Sequence, residues 1–370
     1  MTQSLWVATR KGLFLLRAKD NWTLGTPSFL GDPVVNVLDD GRDGTVYASL
    51  NLGHFGTKLQ RSRDRGTTWE ECAVPSYANV SAVPPAASAD PAQPAPEPPT
   101  LKMLWAVEAG GVDQPGRLWA GTLPGGLFRS DDRGSTWSLV QSLWDLPEHS
   151  NWFGGGYDHP GIHSVAVDPR DSAHVVVGVS CGGAWGTRDD GATWACRARG
   201  MFAEFMPPER REDPSIQDPH RVAVCRDHPD VMWTQHHNGV FRSSDGGCQW
   251  QHLPAARPSG FGFAVAAHPG DPKTAWFVPA IKDERRIPVD GKLVVSRTRN
   301  GGETFEVLDR GLPSPSFDLV YRHGLDVDRT GQRLAMGSTT GGLWLSEDGG
   351  ESWRTLSAHL PPIYAVRFGS

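Results

Sequence analysis

The chain has 370 residues, a formal net charge of −6 and no run of lysine or arginine, so neither nucleic acid nor a membrane is expected as a partner. Its 43 glycines, 30 prolines and 15 tryptophans are typical of many short strands joined by tight turns. Five cysteines without a C-x-x-C pair argue against a disulfide framework or a cysteine-ligated zinc, and without a long apolar run we expect a soluble, cytoplasmic protein.

The first predicted elements are three short strands, at residues 5–9, 13–17 and 22–24, with no inner strand before them. The last predicted element is a lone strand at residues 363–368. Joining the last strand to the first three completes a four-stranded unit. This closure would remove the open edge that a row of sheets otherwise leaves.

Six further groups of strands lie between these ends. We place them at residues 34–72, 101–140, 161–196, 219–253, 261–308 and 324–356. The proline- and alanine-rich stretch 77–100 separates two of the groups. Because the pattern resumes after it, we interpret residues 77–100 as a flexible insertion within one domain spanning residues 1–370.

Each of the six groups contains one copy of an eight-residue motif. The copies are SRDRGTTW (62–69), SDDRGSTW (130–137), TRDDGATW (187–194), SSDGGCQW (243–250), TRNGGETF (298–305) and SEDGGESW (346–353). The Asp or Asn can accept hydrogen bonds from its own turn, and the glycine reaches backbone angles that other residues avoid. We therefore expect a hairpin turn that repeats once per unit, and we call it the clasp.

The clasp resembles the Asp box of the sialidase-like, or BNR-repeat, propellers. The resemblance implies an all-β, seven-bladed β-propeller with six Asp boxes, closed by the C-terminal strand joining the N-terminal blade. It also implies glycoside hydrolysis, although propellers with this motif include xyloglucanases, sortilin-type receptors and photosystem assembly factors. The fold alone therefore does not define the function.

The long connections between predicted blades gather on one face. They comprise residues 77–100, 141–162, 197–218 and 309–322, whereas the clasps and the turns after the inner strands belong to the other face. Loops that a rigid scaffold holds over a channel mouth commonly build a site. We expect the functional site on the long-loop face.

Histidines concentrate on this face. Aligned blades place His163, His220 and His323 at one position, the start of the inner strand, where other blades have Val34, Met103 and Phe263. Loops between second and third strands add His54, His236 and His237. Because imidazoles converging on an axis can share an ion, some of these six histidines are predicted to bind a divalent metal such as zinc, iron or manganese.

A charged loop of blade six is predicted to reach the same face. Its Asp283 or Glu284 would act as a general base or orient a ligand, and Arg286 would hold an anionic group of a small-molecule substrate. Asp218, just before His220, is a weaker candidate.

The main functional hypothesis is a metal-dependent hydrolase of a small ester, lactone or amide. Three alternatives remain open. One is a metal-independent, sialidase-like glycoside hydrolase that uses carboxylates such as Asp283 and Glu204. The others are an all-histidine iron oxygenase and a non-catalytic interaction propeller. The sequence defines neither the substrate nor the oligomeric state.

Overall fold

The structure is a computed structural model that describes residues 3–78, 80 and 98–369 and contains seven four-stranded antiparallel sheets. Blade one contains β1 (Gln3–Thr9), β2 (Gly12–Ala18) and β3 (Trp22–Leu24). Blade two contains β4 (Val34–Asp39), β5 (Val46–Asn51), β6 (Thr57–Ser62) and β7 (Glu70–Cys72). Blade three contains β8 (Met103–Ala109), β9 (Leu118–Leu123), β10 (Leu127–Ser130) and β11 (Ser138–Leu139). Blade four contains β12 (Gly161–Asp168), β13 (Asp171–Ser180), β14 (Gly183–Thr187) and β15 (Ala195–Cys196). Blade five contains β16 (Pro219–Val224), β17 (Met232–His236), β18 (Gly239–Ser243) and β19 (Gln251–His252). Blade six contains β20 (Gly262–Ala267), β21 (Ala275–Pro279), β22 (Val295–Thr298) and β23 (Glu306–Leu308). Blade seven contains β24 (Leu325–Val327), β25 (Leu334–Gly337), β26 (Leu343–Ser346) and β27 (Arg354–Ser357). The chain is an all-β, seven-bladed β-propeller, as predicted.

Apart from the last strand, the remaining regular elements are short helices in the connections. They are the α-helix Gln141–Trp144 and the 3₁₀ helices Gly53–Phe55, Pro147–Asn151, Pro208–Arg210, Pro214–Ile216 and Val289–Gly291. Across residues 3–78, 80 and 98–369, none of the helices has both the length and the apolar character needed to span a membrane.

The ring closes through the last strand, β28 (Ile363–Phe368), which pairs antiparallel with β1 and is the inner strand of blade one. Val366 lies opposite Val7, and Arg367 lies opposite Trp6. The predicted joining of the two chain ends is therefore confirmed.

The hydrophobic core lies between neighbouring blades. Trp276 of blade six packs with Leu334 and Trp344 of blade seven, and Leu343 of blade seven packs with Leu5 of blade one. These side chains are almost fully buried. Because each sheet covers the next, burial of this apolar surface stabilises the whole ring.

The clasps join the third and fourth strands of six blades and share one hydrogen-bond pattern. In blade two, Ser62 Oγ donates to Asp64 Oδ1 at 2.8 Å and accepts from the N–H of Gly66 at 2.8 Å. Gly66 has a φ of +86°, and a Cβ there would lie 2.7 Å from the ring of Trp6 on blade one. The glycine is needed both for the turn and for the close approach of the neighbouring blade.

The predicted flexible insertion 77–100 falls largely outside the described residues, which omit 79 and 81–97. Its first residue, Tyr77, is buried against Phe128 and Trp144. The Tyr77 hydroxyl also donates to the carbonyl oxygen of Pro124 at 2.8 Å. The insertion thus starts from an anchored side chain.

Candidate active site

A cavity of about 920 Å³ opens on the long-loop face. Its walls carry many aromatic rings, namely Trp105, Phe153, Tyr157, Phe205, Phe261, Phe263, Tyr321 and Tyr364. Its charged and imidazole groups are Glu204, Asp218, Lys282, Asp283, Glu284, Arg286, Arg322, His220, His237 and His323. The volume is in the range of small-molecule sites.

Irregular strand pairing shapes the floor of this cavity. In six blades, one or two residues near the start of the inner strand bulge out of the regular pairing with the second strand or, in blade one, with β1. They include Tyr364, Val35, Trp105, His163, His220 and Phe263. Such bulges redirect side chains and are frequent beside active sites. All six except His163 line the cavity. The expected alignment differs here, because Val34 and Met103 are regularly paired and Val35 and Trp105 occupy the equivalent position.

Asp218 precedes β16 in the wall of the cavity and is buried. Its Oδ1 accepts a hydrogen bond from the N–H of Cys181 at 3.2 Å, while Oδ2 lies 3.3 Å from His220 Nε2 and 3.5 Å from His237 Nδ1. Burial by itself would raise the pKa of Asp218, but the two histidines and Arg322 lower it well below its ordinary value. Asp218 is therefore ionised at neutral pH.

His220 is held in one orientation beside Asp218. Its Nδ1 lies 2.6 Å from the carbonyl oxygen of Gly262, which only accepts, so Nδ1 carries a proton. Its ring stacks on Phe263 with the ring centres 4.5 Å apart. Burial lowers the pKa of His220, and Asp218 opposes that effect. Nε2, facing Asp218, is thus the atom that exchanges a proton.

The predicted catalytic residues of blade six line the cavity as two internal ion pairs. Arg286 Nη2 lies 2.5 Å from Asp283 Oδ1, and Lys282 Nζ lies 3.3 Å from Glu284 Oε2. Both carboxylates already have a cationic partner, so neither is a free base in this arrangement.

Arg322 precedes blade seven and reaches the same cavity. Its guanidinium carbon lies 4.8 Å from the ring centre of Trp105 and 5.4 Å from that of Phe263. Its buried Nε has no hydrogen-bond partner. Sequence reasoning had given no role to Trp105, although its equivalence to His163 in a corrected alignment would have revealed it.

Two of the six predicted histidine ligands, His163 and His323, lie at the floor of the cavity or below it and are not part of the group around Asp218. His163 is fully buried, with Nδ1 2.9 Å from Ser164 Oγ and its ring against Trp105. Nδ1 of His323 accepts a hydrogen bond from Arg221 Nη1 at 2.7 Å. Burial lowers the pKa of both histidines well below the ordinary value. Both rings are neutral and held by these neighbours.

Two other predicted ligands face away from the cavity. His54 is exposed and packs against Phe55, and it does not line the cavity. His236 is fully buried, with Nε2 3.1 Å from the N–H of Asp218 and Nδ1 3.0 Å from that of Asn238. Of the adjacent pair, His237 is therefore the residue that reaches the cavity.

Within the part of the chain that the structure describes, one group of three side chains has the spacing of a metal site. It comprises Asp218, His220 and His237, whose candidate ligand atoms lie within 4.8 Å of one another. The structure brings together two of the six predicted histidines and adds a carboxylate that the sequence ranked lower. A divalent metal on these residues stays a prediction.

Two comparisons relate the chain to known proteins, whereas no protein-family profile matches it. It is 27% identical over 258 residues to an oligoxyloglucan-reducing end-specific xyloglucanase of Emericella nidulans, covering 66% of this chain and 26% of the relative. It is 25% identical over 265 residues to the xyloglucanase Xgh74A of Acetivibrio thermocellus, covering 63% of this chain and 29% of the relative. The chain thus spans less than a third of the length of these relatives.

Solved structures support the fold. An ancestral GH74 enzyme superposes with a TM-score of 0.59 at 14% identity, covering 98% of this chain and 39% of the other. YCF48 from Cyanidioschyzon merolae superposes with a TM-score of 0.55 at 15% identity, covering 88% and 86%. The chain is a seven-bladed β-propeller with homologues among the GH74 xyloglucanases.

These relatives overturn the main functional hypothesis. Xyloglucanases cleave glycosidic bonds, so the expectation of a metal-dependent hydrolase of an ester, lactone or amide is wrong. The histidine pattern predicted a metal site, but it carried no information about the type of bond in a substrate. The findings favour the alternative of a glycoside hydrolase.

Proposed function

We propose that this propeller is a glycoside hydrolase that binds a carbohydrate in the cavity of the long-loop face. The observation that carries the proposal is Asp218, a buried carboxylate held ionised at the wall of an aromatic-lined cavity. Glycoside hydrolases need such a group beside the anomeric carbon. The xyloglucanase relatives support the same class of reaction.

Asp218 would stabilise the positive charge that develops on the sugar ring as the glycosidic bond breaks. Its lowered pKa suits a base or nucleophile and rules it out as the proton donor. Cys181 and the two histidines fix the carboxylate in place. Because the group is already oriented, little reorganisation is needed during the reaction.

Glu204 is the residue best suited to protonate the leaving oxygen. It lines the cavity, and among the described residues its carboxyl group makes no hydrogen bond or ion pair. Asp283 and Glu284, by contrast, each hold a cation. A general acid must bring its carboxyl group to the glycosidic oxygen, and a group without an ion pair is free to do so. We place Asp283, Glu284 and Arg286 at the rim, in contact with the substrate.

The aromatic walls suit the apolar faces of sugar rings. Tyr157 packs edge-on against Trp105, and Phe261 packs against Phe263, so the rings form continuous surfaces. The hydroxyls of Tyr157, Tyr321 and Tyr364 make no hydrogen bond to any residue that the structure describes, which leaves them available for sugar hydroxyls.

The direct test is incubation of the purified protein with a panel of neutral and acidic oligosaccharides, xyloglucan oligosaccharides among them. We expect new reducing ends from at least one member, at a rate that EDTA does not change. Absence of cleavage across the panel, or activity that EDTA removes and added metal restores, would contradict the proposal. Elemental analysis of the same sample tests the predicted metal separately.

A further inference from the structure

The aromatic rings of the cavity are unevenly distributed, and one part of its wall is built from phenyl rings. The ring centre of Phe205 lies 6.4 Å from that of Phe153 and 4.9 Å from that of His237. The ring centre of His237 lies 5.7 Å from that of Phe261. We call Phe153, Phe205 and Phe261 the phenyl wall. Because phenyl rings carry no hydrogen-bonding group, this wall offers only apolar and aromatic contact.

The rings that carry hydroxyl groups lie elsewhere in the cavity. Tyr364 belongs to β28 of blade one, whereas His237 follows β17 of blade five, so the two lie across the seven-membered ring from each other. Tyr321 precedes blade seven, and Tyr157 packs against Trp105 of blade three. A sugar, whose hydroxyls need hydrogen-bond partners, therefore fits the side of the tyrosines better than the phenyl wall.

Phe205 is held in place by its neighbours although it is 42% exposed. The N–H of the preceding residue, Glu204, donates to Asn238 Oδ1 at 3.0 Å. The N–H of Ala203 donates to the carbonyl oxygen of Arg211 at 2.8 Å. These bonds fix the loop to itself and to the turn after β17. A phenyl ring held at the edge of a cavity presents apolar surface that a ligand would bury.

The phenyl wall begins one ring away from the proposed catalytic carboxylate. Asp218 Oδ2 lies 3.5 Å from His237 Nδ1, and the same imidazole packs against Phe205 and Phe261. Glu204, the proposed proton donor, directly precedes Phe205. A general acid faces the oxygen of the leaving group, so the departing part of the substrate lies on the side of Glu204 and of the phenyl wall.

We propose that the phenyl wall binds an aromatic aglycone, so that the preferred substrate is an aryl glycoside, the glycoside of a phenol; this inference rests on the proposed glycoside hydrolase function. The bond between the anomeric carbon and the phenolic oxygen breaks, and the oxygen keeps the electron pair and takes the proton of Glu204. Water supplies the hydroxyl group of the released sugar, and its other proton restores Glu204. The products are a free sugar and a phenol.

The geometry of the wall favours an aromatic ring over a second sugar. Phe205 meets Phe153 at an interplanar angle of 76° and His237 at 71°, both edge to face. A further planar ring can join this array through the same kind of contact. A sugar would lose water from several hydroxyls against rings that cannot replace it, and Asn238 Oδ1 beside the wall already accepts from Glu204.

Calorimetric titration with 1-thioglycosides, which resist hydrolysis, tests the subsite separately from cleavage. The probes are the phenyl, cyclohexyl and methyl 1-thioglycosides of glucose, galactose and xylose in both anomeric forms. For at least one sugar, we expect the phenyl compound to bind the whole protein at least about tenfold more tightly than the methyl and cyclohexyl compounds. Phe205→Ala should remove most of this preference. Phe317→Ala, which removes an exposed phenylalanine from another long connection, should retain it.

The outcomes separate this inference from the proposed function. A phenyl preference that Phe205→Ala removes, in a protein that cleaves neither oligosaccharides nor aryl glycosides, would support the subsite and overturn the hydrolase. Cleavage of oligosaccharides with equal affinity for phenyl and methyl compounds would overturn the subsite and leave the hydrolase standing. Cyclohexyl compounds that bind as tightly as phenyl compounds would also overturn the assignment of an aromatic aglycone. These comparisons use the parent protein and remain decisive if Phe205→Ala does not fold.

Discussion

Two buried aspartates illustrate how neighbours decide the role of one residue type. Asp218 faces the cavity with two imidazoles, whereas Asp168 is the last residue of β12 and accepts hydrogen bonds from Arg170 at 2.8 and 2.9 Å. Burial opposes ionisation of Asp168, but Arg170 and His174 lower its pKa to about 2. Asp168 is therefore a structural carboxylate, whereas Asp218 lines the cavity.

Asp168→Asn should change the pH dependence of stability. A depressed folded-state pKa stabilises the protein above the unfolded pKa of about 3.9, and this contribution is lost as the pH falls toward 2. We expect a loss of about 2 kcal/mol in the free energy of unfolding at pH 7 that shrinks between pH 4 and about 2, measured by urea denaturation. The exposed Asp20→Asn is the control. An equal loss at every pH would contradict this account.

Glu204→Gln should show the signature of a missing proton donor. Substrates with poor leaving groups need protonation of the glycosidic oxygen, whereas aryl glycosides with acidic leaving groups do not. We expect kcat to fall about 10²-fold or more on the former and far less on the latter. Equal losses on both substrate types would assign the proton donor elsewhere.

The clasp is a turn in which side chains take the place of backbone hydrogen-bond partners. Asp348 Oδ1 accepts from Ser346 Oγ at 2.8 Å and from the N–H of Ser352 at 2.9 Å. In the clasp of blade six Asn300 makes the equivalent bond to the N–H of Thr304 at 3.0 Å. The shared oxygen acceptor explains why Asp and Asn interchange in the motif.

Asp348→Ala should lower the free energy of unfolding by about 1 kcal/mol, because the three hydrogen bonds that its carboxylate accepts from Ser346 and Ser352 are lost. Asp348→Asn is the matched variant, and we expect it to retain most of that stability since Asn300 performs the same role in blade six. Thermal and urea unfolding measure both. An asparagine variant as unstable as the alanine variant would show that the charge, not the acceptor, is required.

The sequence predicted the repeated elements well and the site only in part. Six clasps placed the blades because each copy must form the same turn. The blade order assigned His220, His237, Asp283, Glu284 and Arg286 to the long-loop face, and they line the cavity there. Phe205 and Phe261 were not predicted, because they lie in loops that do not repeat. His163 and His220 occupy equivalent bulges but have different surroundings, which depend on the packing around each bulge.

The stability of the complete propeller depends on closure of the ring. β28 pairs with β1, and its Val366 and Ile363 pack with Leu5 and Leu343 from blades one and seven. Removing the strand would expose both the edge of β1 and this apolar cluster. The closure therefore couples the two chain ends to every blade.

A chain shortened by residues 363–370 should lose cooperative unfolding and aggregate, because an open edge and apolar surface become accessible. A chain shortened by Ser370 alone is the control. Size-exclusion chromatography and thermal unfolding provide the readout. A monomeric truncated protein with the parent's melting temperature would mean that closure contributes little.

The role of Asp218 is tested most directly by kcat for Asp218→Asn on the best substrate of the panel, beside the exposed Asp309→Asn. If Asp218 is the carboxylate beside the anomeric carbon, kcat falls at least about 10³-fold in the first variant, with folding intact, and is unchanged in the second. A folded Asp218→Asn protein with kcat within a few-fold of the parent would contradict the assignment.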